Sequence, residues 1–380
     1  MKIAVVSHDS FWPLQGGGGI RVFWVVKQLY EAGHDITVIA PFLAEGFERQ
    51  FPNIKVINLG AFSRFMKNKE IQYLKMGYNI FKALFRLDID IIYAHNIVSA
   101  FPSFLASRIK CVPLVYDIDD ITMGLSSNKF IKNVGPQIEF FIARASEQTI
   151  AMSYSFKRIL GLRNVKNIAV VPHGVDIKRF NPGLYRHAEK KNLAIYMGGI
   201  ENHDGTLLVP LAAVSVLKKI PHMKFLFIGR GGALPKLKSL VKRLGLERSF
   251  IFLDWVDHNQ LPGYLAQAKI GLITHYYSQA CDVALVLKGL EYMSMEVPPV
   301  APNLHGMIEE IGADNERGQL FMCGSPAALS EAIITLMRDE QTRQNKGKAG
   351  RKFILNYFRW EENAKKIVKI CENCLVQYRK

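Results

Sequence analysis

Short apolar runs alternate with longer stretches of helical period along almost the whole chain, and the alternation restarts once near the middle. "KIAVVS", "DITVIAP", "IKVINL", "IDIIYAH", "VPLVYDI", "TIAMS" and "IAVVPHG" occupy the first half. "NLAIYMGGI" at residues 192–200 opens a second series that continues through "KFLFIGRGG", "SFIFLDWV", "IGLITH", "VPPVAPN" and "GQLFMC". Strands that alternate with helices build parallel sheets with helices on both faces. The pattern predicts an α/β chain of two Rossmann-like, doubly wound domains. A length of 380 residues agrees with two cores rather than one. The seam falls in the polar segment 176–192, punctuated by Asn181-Pro182-Gly183. The expected domains are 1–178 and 190–357, and after about residue 326 the chain turns helical.

The first apolar run leads into "HDSFWPLQGGGGIRVF". Four consecutive glycines are costly to order. Gly16 to Gly19 are expected at a strand-to-helix turn, where backbone N–H groups approach an anionic ligand. The run does not spell the dinucleotide fingerprint G-x-G-x-x-G, because Arg21 holds the last glycine position. In open α/β sheets ligands bind at the carboxyl ends of the strands. Two such domains facing each other would therefore place a site in the cleft between them.

Charge narrows the ligand class. Lys plus Arg is 49 against 33 Asp plus Glu, a formal net charge of +16. That surplus favours an anionic partner. The basic residues are spread out and no nucleic-acid motif is present, so phosphorylated ligands and acidic membranes rank above nucleic acid. The opening residues lack a signal-peptide pattern, and no window of about 18 residues is free of polar groups. The five cysteines, Cys111, Cys281, Cys323, Cys371 and Cys374, form no disulfide framework. A cytoplasmic protein is expected, with the inner face of the cell membrane as its possible station.

Several segments then carry a family resemblance in order: "VVSHDSFWPLQGGGGIRVFWVVKQLYEAGHDITVIAP", "VVPHGVDIKRFNP", "AIYMGGI", "FLFIGRGG", "LKGLEYMSMEVPPVAPN", "GQLFMCGSPAALSEAI" and "FRWEENAKKI". The chain resembles the retaining glycosyltransferases of family 4, which have the GT-B fold. The resemblance implies two Rossmann-like domains across a cleft, with the last helix, about 360–380, returning to the first domain. It implies transfer from a nucleotide-diphosphate sugar to an acceptor hydroxyl, without metal or other cofactor. A lipid-linked acceptor or cell-surface glycan precursor is the expected partner.

The resemblance also assigns residues. Glu291 matches the glutamate that takes the ribose hydroxyls, and a carboxylate has the acceptor oxygens to do so. The first glutamate of E-x7-E is replaced by Val283, with Asp282 beside it; Lys288 and Glu291 form the variant K-x-x-E instead. Relatives place an arginine and a lysine after the first strand of this domain to neutralise the leaving diphosphate. Gly199 and Asp204 stand near those positions here. Arg230, Lys288 and the amides of Gly17 and Gly18 are the expected substitutes. On the acceptor side, Asp119 aligns with a family histidine, while Asp117 and the strand-end His95 are further catalytic candidates. Asp117-x-Asp119 also spells the D-x-D of the metal-dependent fold, yet no metal is expected in a GT-B context. His173 stands where the family usually has asparagine, as a substrate contact or a linker residue.

Two other classes fit parts of this pattern. A sugar-nucleotide epimerase of the same fold would use His8, His95, Asp117 and Asp119 as acid and base. A non-catalytic binding subunit would explain the missing arginine, lysine and first glutamate. Finally, residues 62–75 hold Arg64, Lys67, Lys69 and Lys75 among Phe62, Phe65 and Met66. That mixture predicts peripheral contact with anionic membrane.

Overall fold

The computed structural model describes residues 1–14, 16–60, 69–119, 121 and 129–380. The chain divides into two compact units, Met1–His173 with Trp360–Lys380, and Gly174–Arg359.

The first unit runs β1 (Lys2–Ser7), α1 (Gly16–Glu31), β2 (Asp35–Ala40), α2 (Phe47–Gln50), β3 (Lys55–Asn58), α3 (Lys69–Arg86), β4 (Ile91–His95), α4 (Asn96–Lys110), β5 (Leu114–Ile118), α5 (Lys129–Ala145), β6 (Gln148–Ala151), α6 (Tyr154–Leu162) and β7 (Ile168–Val170). Its sheet order is β3-β2-β1-β4-β5-β6-β7, and the paired strands are parallel. β4 and β5 are buried at every position. Strands covered by helices on both faces read as continuous apolar runs, which is why the sequence displays them so clearly. Strand order reverses between β1 and β4, and the crevice beside that reversal is the ligand position of such sheets.

The second unit repeats the plan. It runs β8 (Leu193–Met197), α7 (Leu208–Lys219), β9 (Lys224–Ile228), α8 (Leu234–Arg243), β10 (Phe250–Leu253), α9 (Leu261–Gln267), β11 (Ile270–Leu272), α10 (Gln279–Val283), α11 (Leu287–Ser294), β12 (Pro299–Pro302), α12 (His305–Ile311), β13 (Gln319–Phe321), α13 (Pro326–Arg338) and α14 (Glu340–Tyr357). Its sheet order is β10-β9-β8-β11-β12-β13. Tyr196, Phe225, Phe227 and Phe250 stack inside, with Leu237, Leu329 and Ile333 packed on them. α13 starts where the sequence says it should: the Ser325 hydroxyl accepts from Ala328 N at 3.1 Å and Pro326 holds the first helical position.

α15 (Trp360–Tyr378) belongs to the first unit and packs along α1. Trp24 and Trp360 stack at 6.5 Å, and Asn363 Nδ2 donates to the His173 carbonyl at 3.1 Å. The His173 ring lies edge-on to Trp360. Here His173 is a buried packing residue that ties the chain's last helix to its own unit.

The four glycines depart from the expected turn. They form the first turn of α1 rather than a loop before it. Only Gly16 has a left-handed backbone, at φ +66°. α1 is buried around nearly its whole circumference, from Gly19 to Leu29. Tertiary packing of that kind outweighs the poor helix propensity of glycine.

Candidate active site

In the first unit the carboxyl ends of β1, β4 and β5 gather charged side chains around the start of α1. Arg21 has no accessible surface. Its Nε donates to Asp117 Oδ2 at 2.7 Å, and its Nη2 donates to Asp117 Oδ1 at 2.8 Å and to the Val171 carbonyl at 2.9 Å. The Tyr93 hydroxyl also donates to Asp117. Asp117 is therefore enclosed and fully engaged. Both its oxygens are held by Arg21 and Tyr93 within the first unit, an arrangement that suits a positioning role rather than the expected catalytic one.

Asp119 Oδ2 lies 2.7 Å from His95 Nε2, and its Oδ1 lies 3.3 Å from Arg21 Nε. Its backbone N–H donates to Asn96 Oδ1 at 3.0 Å. Burial works against both charges of the His95–Asp119 pair. The mutual attraction wins, so the His95 pKa is raised and the Asp119 carboxyl is held well below its usual range, with His173 and Arg21 adding to the latter. His95 Nδ1 is buried and has no hydrogen-bond partner. The structure thus brings together two of the expected catalytic residues as a hydrogen-bonded carboxylate–imidazole pair. Gly18 adjoins them: a Cβ there would lie 2.8 Å from His95 Cε1, 3.2 Å from Asp9 Oδ2 and 3.4 Å from Asp119 Oδ2. Gly18→Ala is expected to displace the His95–Asp119 pair and to cut transfer at least tenfold. A turnover assay beside a melting curve checks it; full activity would show that the imidazole is not needed in place.

In the second unit the matching edge is built from β8, β9, β11 and α11. Lys288, on the first turn of α11, is partly buried; its Nζ donates to the Tyr196 hydroxyl at 3.0 Å and lies 3.9 Å from Asp204 Oδ1. Burial lowers the Lys288 pKa from the ordinary lysine range, against the pull of Asp204 and Glu291. His275 Nε2 lies 3.2 Å from Asp204 Oδ1, and Asp204 Oδ2 accepts from Glu201 N at 2.8 Å. Although burial opposes its charge, Asp204 is held well below the usual carboxylate range by the His275 hydrogen bond and by Lys288. The loop after β8 passes directly over this group. A Cβ on Gly198 would meet Lys288 Cε at 3.5 Å, and one on Gly199 would meet Asp204 Oδ2 at 3.5 Å. The neighbouring loop after β9 approaches so closely that a Cβ on Gly229, at φ +145°, would fall 1.9 Å from the Gly198 carbonyl. Glycine is obligatory there.

The sequence assigned the cation role to Lys288 but gave it no partners. Asp204 stands near the place of a family lysine, and the structure shows why a reversed charge is tolerated: Lys288 approaches it from α11. Glu291, one turn further along, is buried and pairs with His258 Nε2 at 2.6 Å. His258 had no distinguishing sequence signal. Arg230 does not join this group. Its Nε bonds Asp254 on the surface at 2.5 Å, with 64% and 70% of the two side chains exposed. Such a pair is weak, so Arg230 is held loosely at the edge of the site. Asp282 is taken by His305, Nδ1 to Oδ2 2.9 Å. Glu291→Gln is expected to weaken nucleotide binding about tenfold, the worth of a hydrogen bond to a charged group, while the melting temperature changes little. Calorimetric titration with nucleoside diphosphate measures it, and an unchanged affinity would remove Glu291 from the donor site.

Comparison with known proteins decides the family. Residues 15–179 match the model of Glycosyltransferase Family 4, and residues 178–353 match that of Glycosyl transferases group 1. The chain belongs to the family 4 glycosyltransferases. N-acetyl-α-D-glucosaminyl L-malate synthase of Bacillus anthracis is 26% identical, over 95% of this chain and 94% of that protein. Sucrose-phosphate synthase from Thermosynechococcus elongatus superposes with a TM-score of 0.82 at 18% identity, covering 99% of both chains. Anabaena HepE, solved with UDP-glucose, gives 0.79 at 18% identity, covering 98% of this chain and 100% of that one. This family 4 chain is a glycosyltransferase of the GT-B fold.

Proposed function

We propose that this glycosyltransferase moves a hexose from a nucleoside diphosphate sugar to the hydroxyl of a lipid-linked or other glycan-precursor acceptor, with retained anomeric configuration and at the cytoplasmic face of the membrane. The observation that carries the donor half is Lys288. A partly buried cation at the carboxyl edge of the second sheet, beneath the Gly198–Gly199 loop, supplies the positive charge that the usual arginine and lysine would bring. It lies one helical turn from Glu291, which takes the ribose hydroxyls in this reading. The structural likeness to a protein solved with UDP-glucose supports a uridine nucleotide.

In this mechanism Lys288 takes up charge as the glycosyl–phosphate bond breaks. A departing phosphate oxygen accepts the proton of the incoming hydroxyl on the same face, so no carboxylate nucleophile is required. The His95–Asp119 pair orients sugar or acceptor hydroxyls through the unpartnered Nδ1 of His95. No metal is needed. His8, Asp9 and His95 do bring potential ligand atoms within 4.8 Å of one another, so independence from metal is tested by turnover after chelation.

The deciding experiment is a panel of nucleotide sugars with a lipid-linked acceptor extract. Release of nucleoside diphosphate and an α-linked product from an α-linked donor are expected. An epimerised donor would replace transferase with epimerase, and binding without turnover would leave a binding subunit.

A further inference from the structure

The anomaly left over is the charge on the outer helices of the first unit. α3 presents three stripes. Met76, Ile80 and Leu84 face the core, while Leu74, Tyr78 and Phe85 are exposed at 74%, 64% and 55%. Between them runs Asn79, Lys82, Ala83 and Arg86, spaced three and four apart so that they share one face. That third stripe borders the edge strand β3 across a cavity of about 370 Å³. Lys55 of β3 closes it from the other side, Asn58 and Asn79 offer amide groups, and Ile57 and Leu87 form part of the apolar lining. Among the described residues no carboxylate lines the cavity. Among the described residues none pairs with Lys55, Lys82 or Arg86.

Three uncompensated cations around one concavity form an anion site. The surroundings choose the anion. α4 packs on α3 and exposes its own stripe, Phe101, Leu105 and Ile109, at four-residue spacing. α4 has no acidic residue, and residues 72–86 of α3 have none either. On α5, Glu139 is buried and Phe141 is exposed, with Phe104 of α4 edge-on to it at 5.8 Å. Lys110 Nζ donates to the Phe85 carbonyl at 3.2 Å, which joins α3 and α4 along the exposed side. Exposed apolar residues thus continue over three adjacent helices, the kind of surface that marks a partner or membrane contact. A free phosphate would use the cations and leave the apolar stripes unexplained. A phospholipid uses both.

We propose that the groove between β3 and α3 seats the phosphate of an anionic phospholipid, docking the apolar stripes of α3 and α4 on the membrane. The basic segment that the sequence singled out, with Arg64 and Lys67 among Phe62, Phe65 and Met66, lies outside the described residues; the groove supplies an independent set of contacts. The inference goes beyond the transfer reaction, and its test measures no transfer, so either can fail alone.

The full chain is sedimented with vesicles of phosphatidylcholine alone and of phosphatidylcholine doped with phosphatidylglycerol, at low and high salt. Wild type is expected to bind the doped vesicles selectively and to release at high salt, since exposed charges are screened beyond a Debye length of about 10 Å at 0.1 M. Lys55→Gln/Lys82→Gln/Arg86→Gln should lose affinity on the order of 100-fold, as three cations near an anionic surface predict. Leu74→Ser/Tyr78→Ser should weaken binding to the same vesicles without altering salt sensitivity. Both variants change exposed residues, and unchanged melting curves confirm their folding. Equal binding to both vesicle types, or undiminished binding by the triple variant, would overturn the proposal. So would inorganic phosphate alone raising the melting temperature and abolishing vesicle binding, which would make the groove a site for free phosphate.

Discussion

Asp117→Ala is expected to cost the first unit about 3–5 kcal/mol of stability, the penalty for leaving a buried charge without its partner. Arg21 would keep its guanidinium at zero exposure with only the Val171 carbonyl and a more distant Asp119 to face. Arginine cannot shed its charge to relieve this. Burial disfavours that charge, but Asp117 and Asp119 together raise the Arg21 pKa further above its already high range. The same logic predicts a partial rescue. Arg21→Met with Asp117→Leu replaces both members by apolar groups of similar size, which is often neutral or better. Urea unfolding of the two variants and wild type gives the comparison. If Asp117→Ala were as stable as wild type and merely inactive, the residue would return to the chemistry, and the enclosed pair would have been misread as structural.

That pair also shows where sequence reading stops. Each strand was legible because parallel strands buried on both faces leave an apolar run that needs no context. Arg21 and Asp117 are 96 positions apart, and nothing local to either announces the other. Arg21 even appeared as a defect, the residue that spoils a glycine fingerprint. The second unit repeats the lesson. Lys288 and Glu291 stood out because the family resemblance falls on them as the variant K-x-x-E. Their partners come from elsewhere in the sheet: Tyr196 is 92 positions from Lys288, and His258 is 33 from Glu291. Topology alone brings these together, through strands whose carboxyl ends converge at the reversal of strand order. The glycine run was placed correctly in the chain but given the wrong local structure, because helix burial outweighed propensity.

Lys288→Met should give the largest functional effect, a fall of about 10²–10³ in kcat, the usual cost of removing one group that stabilises developing charge in a water-excluded site. Ground-state affinity for the nucleotide sugar should change less. Stability should move the other way. Burial lowers the Lys288 pKa, so between the folded and the unfolded pKa the unfolded chain binds the extra proton and stability rises with pH. Below that window the lysine is charged in both states and carries its full desolvation cost. At neutral pH Lys288→Met is therefore expected to be neutral or mildly stabilising, an active-site group retained at the expense of the fold. The same shift sets a pH signature on binding. A diphosphate favours the ammonium form, so affinity for nucleoside diphosphate should decline as pH rises through the lowered lysine pKa, earlier than an ordinary lysine would allow. Lys288→Met should lack that alkaline limb. Calorimetry across pH separates this from a structural role: a residue needed only to hold Tyr196 in place would lose activity on substitution and leave the alkaline limb untouched. An unaltered limb in the variant, or wild-type kcat, would move the diphosphate-neutralising charge away from Lys288 and toward Arg230, whose weak surface pair with Asp254 leaves it free to turn inward.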